Sequence, residues 1–423
     1  VVSPAGSLFN PADAAFAGAA GSLSLGAGSS ISFNTDTGAI TGLPPGAALG
    51  QNFYLVQSQS QSVGLGLFVF DSISLPQGVS VSVTGNRGLV LASKSDFTFG
   101  STLSLNGRHA DTLSANGVGS GGIGAPGSEG AAAGAVVTQS APPASGHGDG
   151  GKAGYGVTGS ANTRAMHGNG VGGGRAKGAT SANIIHGGGG GGYGANAGGG
   201  VNGSGATDSQ LGGQAYGSAS LVDLLGGSGG GGAQRSGTSS APAIALGGGG
   251  GGGGAVEFLA LGTLNFSGSI EVRGGAGGGS SRDSGTTAAG GGGSGGGVIL
   301  AANHLSYSGT VDASGGSSGN AAGGTVVHGG GGAGGRVAFY YNTLSNSGTG
   351  GVDTRVLRAG GASGLSALNG ASGTFHDAGT SSFPFEPVAG PELSSFTFAA
   401  AAAVPLLLRR RRIRQELCAP AAA

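Results

Sequence analysis

Three glycine-flanked segments are versions of one unit: GGAVEFLALGTLNFSGSIEVRGG (253–275), GGGVILAANHLSYSGTVDASGG (295–316) and GGRVAFYYNTLSNSGTGGVDTRVLRAGG (334–361). Aligned on Val256, Val298 and Val337, the leucines Leu264, Leu305 and Leu344 fall eight, seven and seven residues on. The pairs Ser267-Gly268, Ser308-Gly309 and Ser347-Gly348 then follow at one common offset. The starts lie 42 and 39 residues apart, so the chain carries an internal repeat of about forty residues. Each unit holds short strand-like pieces, such as Val298-Ile299-Leu300 and Gly309-Thr310-Val311, punctuated by glycine or asparagine turns. Such a unit cannot bury its own apolar side chains, and tandem hairpins would leave those faces in water. Stacking neighbours in register removes the problem.

The expected fold is therefore all-β: a right-handed parallel β-helix, or solenoid, with long glycine-rich loops projecting from one corner of each coil. An N-terminal half-match extends it. Val79 to Val83, Gly88 to Ala92, Phe97 to Gly100 and Leu103 to Gly107 are strand-like, and Leu89 to Phe97 again spans eight residues. Between the two sets of coils lies the stretch of lowest complexity, with glycine runs at 187–192 and 247–254. Ordering such a stretch is costly in backbone entropy, and few side chains there offset it. One island, Tyr216 to Leu225, is apolar enough to dock on the coils as a short helix. These segments together resemble glycine-rich β-helical surface proteins of environmental bacteria over about residues 65–362, a likeness that implies coils alternating with glycine loops.

Composition excludes several function classes. Glycine supplies 104 of the 423 residues without a strict three-residue period, which rules out collagen. Outside the tail no basic stripe interleaves with aromatics, and setting aside Arg409 to Arg414 and Glu416 leaves thirteen basic against seventeen acidic side chains. A nucleic-acid partner is not expected. The single cysteine, Cys418, permits no intrachain disulfide, so strand pairing must hold the body together. Gly172 to Gly178 lacks the Gly-Lys-Ser/Thr of a phosphate loop, and at this glycine content spaced-glycine motifs arise by chance.

Catalytic and metal chemistry find little to stand on, and no cofactor is expected. The seven histidines (His109, His147, His167, His186, His304, His328, His376) are scattered singly, whereas zinc needs three or four converging ligands. The lone Asp149 in Gly146 to Gly151 cannot fill a calcium shell. A polysaccharide lyase or hydrolase would need paired carboxylates, or calcium with a basic residue, on adjacent coils. The candidates are Glu257, Glu271, Asp312, Asp353 and Arg336. Asp312 and Asp353 both follow a valine and fit turn capping at a strand end.

The tail carries a second message. Pro391-Glu392 precedes an apolar run of sixteen residues, Leu393 to Leu408, and then Arg409, Arg410, Arg411, Arg412 and Arg414. As a helix the run would measure about 24 Å, a marginal span of a hydrocarbon core, interrupted by Pro405. The layout resembles the PEP-CTERM sorting signal of Gram-negative bacteria, although Leu393 replaces the second proline and Phe385-Glu386-Pro387 is a further partial match. The resemblance covers about residues 385–414. It implies an exosortase-like processing protease as partner, transient anchoring in the inner membrane through a C-terminal helix, and release to the cell envelope, surface or extracellular matrix.

The expected organisation is an N-terminal strand region at 1–109, a glycine-rich insertion at 110–252, repeated coils at 253–362, a linker at 363–390, the sorting signal and membrane helix at 391–414, and a tail at 415–423. Starting at Val1 without a secretory leader in the first thirty residues, the chain is expected to be a mature or truncated form. The expected function is that of a non-enzymatic, structural or adhesive exported protein. The alternative is a surface β-helix that binds or cleaves polysaccharide, with extracellular polysaccharide as a second partner.

Overall fold

The computed structural model describes residues 9–385 except 17–20, 46–49, 51, 58–63, 112–116, 119–122, 126–153, 157–164, 166, 178–184, 222, 237–243, 282–285, 323–324, 348–350, 365–368 and 381. All of these belong to one compact unit; residues 386–423 lie outside the described residues.

Each repeat runs through the same succession. A short strand (Ile244–Leu246, Thr286–Ala288, Thr325–Val327) enters a glycine segment, which delivers a long strand (Ala255–Phe266, Gly297–Tyr307, Arg336–Asn346). In the first two repeats the Ser-Gly turn follows the long strand and leads into another short strand (Ser269–Glu271, Thr310–Asp312); in the third the short strand Val356–Leu357 follows a 3-10 turn, and in each a second glycine segment comes next. Successive repeats pair parallel and in register, Val256 with Val298 with Val337 and Leu264 with Leu305 with Leu344. The extra residue in the first unit is absorbed by a bulge between Ala260 and Thr263. On the other side of Ala255–Phe266, two N-terminal strands share its length: Gly88–Ser93 pairs with its first half and Phe97–Phe99 with its second.

The apolar core lies between the ten-stranded sheet built on the long strands and the seven-stranded sheet built on the short ones. Val256, Phe258 and Ala260 face that core, while Ala255, Leu259 and Leu261 face a second cluster on the opposite side. A strand covered on both faces reads as a continuous apolar run, and this one does. Stacking in register also aligns like side chains. Phe99, Phe266 and Tyr307 form a column with ring centroids 5.7 and 5.5 Å apart and planes within 10°. In the next repeat Asn346 takes the ring's place, and the column ends on the Arg355 guanidinium, 4.6 Å above the Tyr307 ring.

The glycine segments do not project as loops; they form the interior of a backbone lattice. Segment 289–296 shows how. Ala289, Gly292 and Gly295 donate to the carbonyls of Val327, Gly330 and Ala333; Gly290, Gly293 and Gly296 donate to Gly278, Gly275 and Val272; Gly291 and Ser294 donate to Gly231 and Ser228. The same segment accepts bonds from 247–253 and from 316–319, and Gly188 and Gly191 donate to Ala289 and Gly292. It is thus bonded to six neighbouring segments, at N···O distances of 2.7–3.1 Å. The partner changes with each residue and returns every third residue, which is the period of a polyproline II backbone, a helix with no internal hydrogen bonds. Gly212, on another segment of the lattice, has φ −66° and ψ 137°, in that region. Glycine serves here for closeness: a methyl at Gly293 would run into the Gly251 carbonyl oxygen, and one at Gly292 into that of Gly316.

These observations correct the expected fold. A single closed right-handed parallel β-helix does not form. The described residues make six sheets, and parallel pairing is mixed with antiparallel pairing. Phe53–Gln57 runs antiparallel to Gly64–Phe70, Ser30–Asn34 to Ile40–Thr41, Ile185–His186 to Gln234–Ser236 and Gly200–Val201 to Thr207–Asp208. The physical reason is that the glycine segments find hydrogen-bond partners in one another, so the chain between strands is packed inside instead of closing a coil around a single core. No α-helix occurs among the described residues, only 3-10 turns at Ala14–Phe16, Ser209–Leu211 and Val352–Arg355. The described residues of the island at 216–225 dock as expected, but as turns and irregular chain with no helix.

Candidate functional site

The Ser-Gly pairs that mark the repeats sit where a long strand turns into the next short one. Ser267 and Gly268 donate their amides to the Phe99 carbonyl, and Ser308 and Gly309 donate theirs to the Phe266 carbonyl, so each turn rests on the one before. With the preceding turns at Gln77-Gly78 and Gly100-Ser101, they line a groove of about 620 Å³. Ser80, Thr102, Ser269 and Thr310 stand in register along it, and Thr310 Oγ1 donates to Ser269 Oγ at 3.1 Å. The lining carries hydroxyls, the Gln77 carboxamide, backbone and valine, with no charged or aromatic side chain.

The acidic candidates separate. Glu271 and Asp312 are register neighbours on adjacent strands and are bridged by Arg273, whose Nε lies 2.6 Å from Asp312 Oδ2 and Nη2 3.0 Å from Glu271 Oε1. Asn106 Nδ2 donates to the other Glu271 oxygen at 3.0 Å. Arg273 was not among the sequence candidates. Its position two residues after Glu271 places both on the same side of an extended chain, and that spacing was the available signal. The bridge is partly solvated, a setting in which ion pairs contribute about 0–1 kcal/mol. Asp353 lies apart in the 3-10 turn and pairs with Arg358 at 2.8 Å. In the register Asp312 stands beside Leu357, so Asp312 and Asp353 do not pair on adjacent strands.

Arg336 and Glu257 occupy the second apolar cluster instead. Arg336 is buried and holds backbone: Nε and Nη2 donate to the Tyr216 carbonyl at 3.1 and 2.7 Å, Nη2 reaches the Tyr193 carbonyl at 3.2 Å, and Nη1 donates to Thr374 Oγ1 at 3.1 Å. Its guanidinium also lies 5.4 Å from the centroid of the Tyr193 ring. Tyr193 in turn donates its hydroxyl to the Leu225 carbonyl at 2.8 Å, and burial pushes its phenol well above the usual range. Glu257 is fully buried, neither carboxyl oxygen has a hydrogen-bond partner, and loss of solvation pushes its acid well above the usual carboxyl range.

Among the described residues no group of three or more histidine, cysteine, aspartate or glutamate side chains is placed to hold a metal ion. His109 Nδ1 accepts from the Ala276 amide at 2.8 Å and His167 Nδ1 from the Ala176 amide at 2.9 Å, so these two brace loops. His147 and Asp149 lie outside the described residues, as do Pro391, Glu392, Arg409, Arg410, Arg411, Arg412 and Arg414. The expected membrane attachment through a C-terminal helix is corrected: among the described residues no helix is long and apolar enough to cross a membrane. Comparison with protein families, with characterised proteins and with solved structures finds no match to this chain.

Proposed function

We propose that the chain is an exported structural protein of the cell surface or extracellular matrix, whose work is mechanical or adhesive. The observation that carries this reading is the cross-linking of the glycine lattice beside the in-register strands. A segment bonded to six neighbours cannot shift without breaking many backbone hydrogen bonds together. Such a body resists deformation with no investment in charged or catalytic side chains, and only 9% of the chain is charged. The likeness of residues 385–414 to an export-sorting signal supports the address. Fractionation of the native host with an antibody to residues 253–362 tests it. Recovery in envelope, matrix or medium is expected, and recovery from cytosol alone would overturn the proposal.

The hydroxyl-lined groove favours a second reading, binding of a neutral polysaccharide, because uncharged hydroxyl and backbone groups match uncharged sugar hydroxyls. Retention on an insoluble neutral glucan that is lost in the double variant Thr102→Val, Thr310→Val would support it. Equal behaviour of variant and wild type would remove it.

A further inference from the structure

The second apolar cluster contains a feature with no role in a static scaffold. Segment 216–225 lies across the outer face of the long strands, burying Leu221, Leu224 and Leu225 against Val90, Leu259, Ile299, Ala301 and Ala338. Its carbonyls at Tyr216, Gly217 and Ser220 accept from Arg336 and from the Tyr340 hydroxyl, while at its N-terminal end the Tyr216 hydroxyl bonds the Gly226 carbonyl and the Ser228 hydroxyl. Leu221 has φ 48°, the one positive φ outside glycine among the described residues, a left-handed backbone that strains a leucine. On the same face of the sheet, in register with Val90 and Ile299, stands Glu257 with both oxygens unpartnered.

We propose that segment 216–225 is a releasable strap, undocked from the sheet when the Glu257 carboxyl gives up its proton to water. As a neutral acid Glu257 is tolerated in an apolar interface; as a carboxylate it would be a buried charge with nothing to answer it. The ionisable groups on the surrounding elements do not offer that answer. Tyr216 and Asp223 on the strap, Tyr193 on the lattice segment beside it and Tyr340 on the last long strand are neutral or acidic. Arg336 is committed to the carbonyls of the strap and of Tyr193, and no ion pair joins it to Glu257; His376, whose ring centroid lies 5.8 Å from that of Tyr340, is separated from Glu257 by two strands. Strands Gly88–Ser93 and Gly297–Tyr307 flank Glu257 with Val90 and Ile299. Opening the strap lets water reach the carboxylate, and it uncovers the leucines and the sheet face beneath, an apolar surface suited to adhesion or self-association.

The sign follows from linkage. An acid whose value is raised in the closed state stabilises that state fully below the ordinary carboxyl range, and the contribution is lost as pH rises from there through the raised value. Over that window one proton is released per opening, so the opening constant grows about tenfold per pH unit. Hydrogen–deuterium exchange on the full chain reads this directly from a peptide covering 216–225, with intrinsic exchange divided out, while a peptide covering 297–302 reports on the sheet. In wild type the strap's excess exchange should climb tenfold per unit from pH 5 upward with the sheet peptide unchanged. In Glu257→Gln the climb should vanish, and Glu257→Leu, which fills the site without a polar group, should also be flat. A wild-type strap with no excess pH dependence, or the same climb in whichever variant keeps the sheet peptide protected, would overturn the proposal.

Discussion

The long strands and the glycine segments that precede them are consecutive in the chain and stack in the same parallel order, yet they hold together by opposite means. In the strands, like side chains pile on like: Val256 on Val298 on Val337, and Phe99 on Phe266 on Tyr307. Burial of that surface is worth about 25 cal/mol per Å² and is non-directional. In segment 289–296 there is almost no side chain to bury, and cohesion comes from backbone hydrogen bonds in six directions. Each bond is worth about 0.5–1.5 kcal/mol net, against about 1–2 kcal/mol to order the residue that makes it. The lattice therefore has no surplus of its own. Its register is set by the strands at either end, where Leu246, Ala288 and Val327 form one apolar row and the long strands form the other.

The strands should accordingly fail by subtraction and the lattice by addition. Removing the middle ring of the aromatic column with Phe266→Ala leaves a cavity in the principal core and should cost about 3–5 kcal/mol, read as a drop in the denaturant midpoint. A loss under about 1 kcal/mol would mean that the column is not a principal support. At Gly293 a single added methyl should do comparable harm, about 3 kcal/mol, because the atoms in its way are backbone on a neighbouring segment and cannot rotate aside. Gly293→Ala should also strip exchange protection from 272–279 and 289–296 together, since 293 bonds the two. If the methyl is accommodated without loss, close backbone contact is not what holds the lattice.

A weaker effect is expected at the far rim, where His186 is buried beside the row of Leu246 and Val327 and its Nδ1 has no partner. Burial, then the nearby Lys177, holds the imidazole below its ordinary value of 6.5. The neutral ring's contribution is complete above that pH and is lost as pH falls from there through the lowered value. Exchange at 185–187 should rise on acidification below pH 6.5 in wild type and stay flat in His186→Asn; equal profiles would show that the rim does not sense this proton.

The same contrast explains what could be read in advance. The strand register was legible because side chains carry it: the offset of eight against seven residues is the bulge beside Gly262, whose amide bonds the Ser95 carbonyl. The lattice was not, because its contacts are backbone to backbone and the backbone of Gly188 is that of every other residue. Nothing in the run 187–192 names segment 289–292, about a hundred residues away, as its partner. Glycine's entropy cost was visible while the six-fold hydrogen bonding that offsets it was hidden, so the runs were expected outside as loops. Among the charged residues, Glu271 and Asp312 were found as candidates because they follow strand pattern, and Arg273 was missed. Arg336 and Glu257 were misplaced because the second face of the long strands was not known to be covered.

The smallest expected effect separates closeness from the other use of glycine. Gly26 and Gly28 sit in one exposed N-terminal turn, where Gly28 donates to the Gly78 carbonyl at 2.8 Å, and a methyl on either would meet nothing within 4 Å. They differ in backbone: Gly28 has φ +85°, whereas Gly26 is not among the glycines with positive φ. Gly28→Ala should therefore cost about 1 kcal/mol through strain alone. Gly26→Ala should be neutral, or stabilise by up to about 0.5–1 kcal/mol by narrowing the unfolded ensemble. Thermal midpoints of the two variants, set beside Gly293→Ala, would rank three glycines by mechanism: backbone contact, then φ, then neither. Should Gly26→Ala prove as damaging as Gly293→Ala, destabilisation would be a general response of this chain to losing glycine, and the distinction between lattice and turn would fall.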